Sequence, residues 1–392
     1  MRLALLLLLL AAPGAPAGDA PRPALPLRTE GRWIVDAHGR RFKLAGVNWY
    51  GAEQKDFVVG GLDRAPLASI ASSIRSMGFN SVRIPWSNEM VETNPRVGLD
   101  HLRANPALLG KRALEVLDAV IEALWAEGLV VILDNHMSDA DWPNGERDGN
   151  GLWWNDRYPE KSWIADWRAL ARRYRSVPAV VGADLRNEPR PAVLADGKRR
   201  VPVWGGPDPE VDWRAAAERC GNAVLEENPD LLIIVEGVNY SSDFSGATER
   251  IPFRVPNRLV WSPHDYSWFH DGLRSHAQLH EDLGRRWGFL LVQGKPWTAP
   301  VWVGEFGTSH ETQDHVYAES GPGLWCAGFR AYLHAADIDW CYWALNGTQS
   351  RGATRTFGAE ETFGVLDREW KAAALPRHLD AFRSLEPATS GP

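Results

Sequence analysis

Eight short apolar runs, separated by stretches with helical spacing, constrain this chain more than any other feature. Strand-like runs occur at Phe42 to Trp49, Ser81 to Trp86, Leu129 to His136 and Ala179 to Glu188. Four more follow at Leu231 to Glu236, Arg258 to Tyr266, Pro300 to Phe306 and Asp339 to Asn346. The clearest helix lies at Lys111 to Glu127, where Leu114, Leu117, Ala119, Val120, Ile121 and Leu124 form one apolar face before Gly128 stops it. Others are Leu67 to Met77, Glu160 to Tyr174, Val211 to Glu227, Ala277 to Phe289, Leu324 to Ala335 and Ala372 to Leu385; Asn239 to Pro252 reads as loop. Strands alternating with crossover helices build a parallel sheet, and eight of them over this length close it. An α/β fold is therefore expected, a (β/α)8 TIM barrel. Ahead of it, Arg32 to Val35 and Arg40 to Leu44 flank Ala37-His38-Gly39 and read as a β-hairpin at the barrel floor.

Two of these runs end in a glutamate. Glu188 closes Val180 to Asn187 and is followed by Pro189; Glu305 closes Val301 to Gly304 and is followed closely by Gly307. A strand that carries an acid at its C-terminal end presents it at the rim where barrels bind ligands. Two such acids are what glycoside hydrolysis requires: one protonates the leaving oxygen, the other attacks the sugar or activates water. Either acid alone is equally explained as a helix cap or an ion-pair partner.

The remaining organisation is simple. Arg2, the apolar run Leu3 to Ala12 and the small residues Ala15-Pro16-Ala17 form a secretory signal peptide over residues 1–17, with cleavage expected after Ala17. A Pro-rich leader (18–30) precedes a single catalytic domain (31–392) with no internal repeat or appended module. The protein is thus expected to be secreted, extracellular or periplasmic, with no transmembrane segment. A net charge of −7 with scattered signs argues against nucleic acid and anionic membranes as partners, and a monomer is expected. Cys220, Cys326 and Cys341 match no zinc spacing and are expected to be three buried free thiols. Twenty tryptophans exceed what a core of this size needs; half or more pack it, and the surplus suits the apolar faces of sugar rings.

The strand ends, read in order, are distinctive: Val82-Arg83-Ile84-Pro85, Asp134-Asn135-His136, Asn187-Glu188-Pro189, His264-Asp265-Tyr266, Gly304-Glu305-Phe306-Gly307 and Trp343-Ala344-Leu345-Asn346. This series resembles glycoside hydrolase family 5 through nearly the whole mature chain. The opening Gly46-Val47-Asn48-Trp49-Tyr50-Gly51-Ala52-Glu53 and the segment Asp212 to Arg219 are similar to its bacterial endo-β-1,4-glucanase branch. The resemblance implies a retaining enzyme with Glu188 as acid/base and Glu305 as nucleophile. It further implies that Arg83, His136, Asn187, His264, Tyr266 and Trp343 surround the cleaved sugar, with no cofactor and no metal.

The residue chemistry is compatible with those roles. Arg83 and Tyr266 supply a cation and a hydroxyl that favour an ionised nucleophile. Glu188 needs burial and the negative charge of Glu305 to keep its proton. Asn187 is suited to the sugar 2-hydroxyl, and Trp343 to an apolar floor. Arg83 is otherwise a buried ion-pair partner, and His136 and His264 otherwise core positioners; neither histidine is expected to carry a proton. A metal-dependent hydrolase is the rival barrel chemistry, but there is no His-x-His on the first strand and no suitable Lys on the fourth. A catalytically silent sugar-binding barrel is a third reading, disfavoured because both carboxylates are present.

For substrate, Trp49, Trp86, Trp142, Trp153, Trp154, Trp204 and Trp268 fall in expected rim loops, and Trp49 in particular is expected to contact sugar. A β-glucan polysaccharide or oligosaccharide is the expected partner: β-1,4-glucan, with a β-mannan or an oligosaccharide-trimming activity as the alternative. The loop Met137 to Asp156 is acidic and Gly-rich, and Gly347 to Gly364 carries Arg351, Arg355, Glu360 and Glu361. A rim loop of that length closes one end of a cleft, favouring short or decorated glycans, or is simply a solvated charged segment.

Overall fold

The structure, a computed structural model, describes residues 22–313, 321–383 and 385. The signal segment expected at 1–17 lies outside them. The barrel strands are β1 (Ala45–Asn48), β2 (Ser81–Ser87), β3 (Val130–Met137), β4 (Val180–Asp184), β5 (Leu232–Glu236), β6 (Leu259–Ser262), β7 (Trp302–Val303) and β8 (Asp339–Tyr342). All neighbours pair in parallel, in the order β6-β5-β4-β3-β2-β1-β8-β7. The ring closes where Trp261 of β6 bridges Val301, and again where His264–Asp265 pairs with Glu305–Phe306 above them. This is the expected (β/α)8 barrel, each strand lying within or one residue beyond its expected run.

Helices cover the outside. In Ala113–Ala126 the side chains of Val116, Leu117, Val120, Ile121 and Leu124 are buried, the face that 3.6-residue periodicity selects. Helix Trp213–Glu227 starts where the Asp212 carboxylate accepts the Ala215 N–H, a cap worth about 1 kcal/mol. The Asn239 to Pro252 segment holds only the short turn-helix Val238–Ser241 at its start. No helix among the described residues is long and apolar enough to cross a membrane.

The barrel interior is apolar below and polar above, because side chains alternate along a strand. On β3, Val130 and Ile132 join the lower cluster while Asp134 and His136 continue the same face upward. On β5, Leu232 and Ile234 lie below Glu236. Cys341 of β8 sits in the same lower cluster, and Cys220, Cys326 and Cys341 are all free and buried. Leu27 and Ile34 seal this cluster from beneath.

The floor hairpin differs from expectation. Arg28–Glu30 pairs antiparallel with Trp33–Val35 across Gly31-Arg32, so the end of the presumed leader belongs to the domain. The expected second arm, Arg40 to Leu44, contributes only a bridge from Arg41 to Val35. Between Val35 and Arg41 the Asp36 carboxylate accepts the His38 and Arg40 N–H groups at 2.9 Å each and turns the chain tightly.

Candidate active site

Arg83 is the hub of the polar layer. Fully buried on β2, its guanidinium meets Asp134 at 3.1 Å, Asp184 at 2.9 Å, Glu236 at 3.0 Å and Glu305 at 2.7 Å. It also donates to Asn48 at 3.0 Å and Asn187 at 3.1 Å. Five different strands converge on one side chain. One cation cannot balance four buried anions, so the cluster retains protons: burial pushes Asp134 and Asp184 each up to about 7, and pushes Glu236 well above its usual range. Burial opposes charge on Arg83 itself, but these carboxylates more than offset it and raise its pKa.

Glu305 and Glu188 face each other above this layer. One oxygen of Glu305 accepts from Arg83, and the other accepts the Tyr266 hydroxyl at 3.0 Å. Glu188 pairs with His264 Nδ1 at 3.0 Å, and an oxygen of Glu188, an oxygen of Glu305 and a nitrogen of His264 all lie within 4.8 Å of one another. Burial pushes Glu188 up to about 7, with Arg190 and Arg83 opposing it. Of the two causes anticipated from sequence, burial is therefore the one that acts, with the nearby arginines opposing it. Burial likewise pushes His136 and His264 each down to about 3, so both rings are neutral. His136 Nδ1 faces Asp134 at 2.6 Å, which assigns the proton there and leaves Nε2 to accept from the Asn187 amide at 3.3 Å. Gly304 makes room for this arrangement: a Cβ there would stand 2.5 Å from Ser262 Oγ and 2.9 Å from His264 Nε2.

Arg83, His136, Asn187, Glu188, His264, Tyr266, Glu305 and Trp343 thus gather around one cavity of about 270 Å³ or line the layer beneath it. Trp49 does not. It is fully buried in the main core and its indole N–H donates to the Gly60 carbonyl at 2.9 Å, so it cannot stack on a sugar. Trp86 and Trp153 are core residues for the same reason. Trp142 and Trp268 do line the cavity, with Tyr240, Phe269, Arg355 and Phe363, none of which was given a substrate role from sequence. The buried acids Asp134, Asp184 and Glu236 were also missed, although each is a charged residue at an inward position of an otherwise apolar strand, a signal that alternation provides.

The Cellulase (glycosyl hydrolase family 5) model matches residues 35–349. The chain belongs to glycoside hydrolase family 5. An endoglucanase of Paenibacillus polymyxa is 31% identical over 385 residues, covering 92% of this chain and 87% of that protein. The major extracellular endoglucanase of Xanthomonas campestris pv. campestris is 33% identical over 360 residues, covering 86% of this chain and 67% of that protein. The solved catalytic domain of the Xanthomonas campestris pv. campestris major endoglucanase superposes with a TM-score of 0.75 at 27% identity, covering 92% of this chain and 99% of that one.

Among the described residues of this family 5 glycoside hydrolase, two groups have metal-ligand spacing: Glu188, His264 and Glu305, and Asp134, Asp184 and Glu236. In the second, Arg83 already supplies a positive charge in contact with all three acids. In the first, Glu305 is engaged by Arg83 and Tyr266, and Glu188 by His264. The arrangement presents one protonatable carboxyl and one oriented carboxylate on a shared cavity, the parts from which glycoside hydrolysis is assembled.

Proposed function

We propose that this family 5 enzyme, similar to the endoglucanases in sequence and fold, is a secreted, retaining β-1,4-glucan hydrolase working by double displacement. Glu305 attacks the anomeric carbon while Glu188 protonates the departing oxygen; Glu188 then takes a proton from water, which displaces Glu305 from the sugar. The observation that carries this reading is the separation of the two carboxyl groups. One oxygen of each lies within 4.8 Å of the other, which favours the separation of about 5–5.5 Å of a retaining enzyme over the about 6.5–9.5 Å that admits the water of an inverting one.

The environments support the division of labour. Glu188, pushed up to about 7, holds a transferable proton near neutrality. Glu305 is aimed by two donors, and Asn187, held by Arg83, is positioned for the sugar 2-hydroxyl. The glucan substrate is favoured by the names of the endoglucanase relatives. Secretion is favoured by the Leu3 to Ala12 run and the Ala15-Pro16-Ala17 site, and N-terminal sequencing of the exported protein tests it.

The deciding experiment is proton NMR of the first product released from a soluble β-1,4-glucan oligosaccharide. A β-anomer appearing first, before mutarotation, is expected. An α-anomer appearing first overturns double displacement, and chelator-sensitive activity would favour a metal at Glu188 and His264.

A further inference from the structure

The mouth of the barrel is sealed on one side. Tyr50 follows β1 at the rim, yet it is fully buried, as are Glu53 and Gln54 after it. Loops from two distant strands cover them. From the β8 loop, Glu361 accepts the Tyr50 hydroxyl at 2.6 Å, and the Arg351 N–H donates to Asp56 at 2.8 Å. From the β3 loop, Asp141 pairs with Lys55 at 3.0 Å and accepts the Ala353 N–H, joining the two loops directly. Gly352 lies so close to Trp142 that a Cβ would stand 2.9 Å from the tryptophan Cβ.

The seal reaches the reaction centre. Trp142 is 5.5 Å from the Tyr50 ring and 6.0 Å from the Trp343 ring, and Tyr50 stacks on Trp343 at 5.3 Å. Arg355 lies over Trp142 at 3.5 Å and is anchored by Glu361 at 3.0 Å. Near Glu305, Phe363 of the same β8 loop meets Trp268 of the β6 loop at 6.4 Å. On the other side, past Glu188, half-buried Tyr240 lines the cavity.

Direction follows from the chemistry of the proposed function, on which this inference rests. The acid stands beside the bond it protonates, so the leaving part of the chain departs past Glu188, and the part held by Glu305 occupies the opposite side. We propose that the Trp142–Arg355–Glu361 wall closes the glycone side, so that the enzyme accepts a short non-reducing end of a β-glucan and trims oligosaccharides rather than cutting long chains internally. A cavity of about 270 Å³, just below the range of about 300–1,000 Å³ for ligand pockets, suits a short glycone better than a long polymer groove.

The test uses cello-oligosaccharides labelled at the reducing end, together with a soluble substituted cellulose followed by viscosity and by reducing-end release. The native enzyme is expected to remove short units from the unlabelled end, with little viscosity loss per bond cut. Arg355→Ala and Trp142→Ala, each checked for native near-ultraviolet circular dichroism, should move the cut inward and raise viscosity loss per bond cut several-fold. A native enzyme that cuts internally with steep viscosity loss, unchanged in both variants, overturns the wall. Failure of the native enzyme to hydrolyse an aryl β-cellobioside would instead overturn the hydrolase reading, and the wall with it.

Discussion

Glu236 accepts the backbone N–H of Glu188 at 2.7 Å, and Glu188 occupies the left-handed region with φ of 47°. A side chain other than glycine pays strain there, so the residue that anchors its N–H also aims its carboxyl. Glu236 is kept protonated by burial and by Asp184, and a glutamine there would retain one acceptor oxygen for the Glu188 N–H. Glu236→Gln should therefore retain much of the activity. Glu236→Leu, which strands the Glu188 N–H and Arg83, should cost about 1–3 kcal/mol in the chemical step, with KM changing much less. Steady-state kinetics of both variants decides this; equal rates would show that Glu236 does not position Glu188.

Activity should fall as pH rises through about 7, because Glu188 must carry a proton and burial raises its pKa to about that value. Neither His136 nor His264, each pushed down to about 3, can account for such a limb. In Glu188→Gln the limb should vanish, with residual turnover only on aryl glycosides whose leaving groups need no protonation. A limb that persists in Glu188→Gln would assign the proton elsewhere.

Asp184 predicts a stability effect with a definite sign. Its folded pKa, about 7, lies above the ordinary carboxylate value of 3.8, so the folded state binds more protons between those values. Its contribution is present below pH 3.8 and is lost as pH rises toward 7. Relative to the parent, Asp184→Asn should become progressively more stable across that window and level off above it. Thermal melts at pH 4.5, 6 and 7.5 measure the trend, and a flat difference would refute it.

Trp49 and Trp343 should respond oppositely to truncation. Trp49→Ala removes a large core side chain and should cost about 3–5 kcal/mol of stability, while enzyme that remains folded keeps its KM. Trp343→Ala removes a wall of the cavity beside Glu305 and should weaken substrate binding and turnover with a smaller loss of stability. Denaturant unfolding beside kinetics separates the two.

Arg83 does not allow so clean a reading. In sequence Arg83 was a cation for the nucleophile alone or a buried ion-pair partner, but four carboxylates share this guanidinium. Its removal leaves them facing one another without a cation, so about 3–5 kcal/mol of stability should be lost as well. Urea unfolding of Arg83→Ala at pH 5 and pH 8 checks this, with the larger loss expected at pH 8, where more of the acids are ionised.

The order and periodicity of residues were enough to specify the barrel, because alternation is local: it selects which face of β3 or β5 points inward without knowledge of any neighbour. The same locality placed Glu188 and Glu305 at strand ends, and the family motifs added the residues around them. What stands over those ends was decided only in three dimensions. Trp49 and Trp142 are both rim tryptophans in sequence, yet one is core and the other lines the cavity. Trp49 packs into the main core and bonds to Gly60, whereas the β8 loop folds back some 300 residues in sequence onto its neighbour Tyr50, which meets Trp142. Likewise, no single strand reveals that Arg83 serves Asp134, Asp184, Glu236 and Glu305 together. That depends on closure of the ring, which brings side chains of distant strands within one guanidinium's reach.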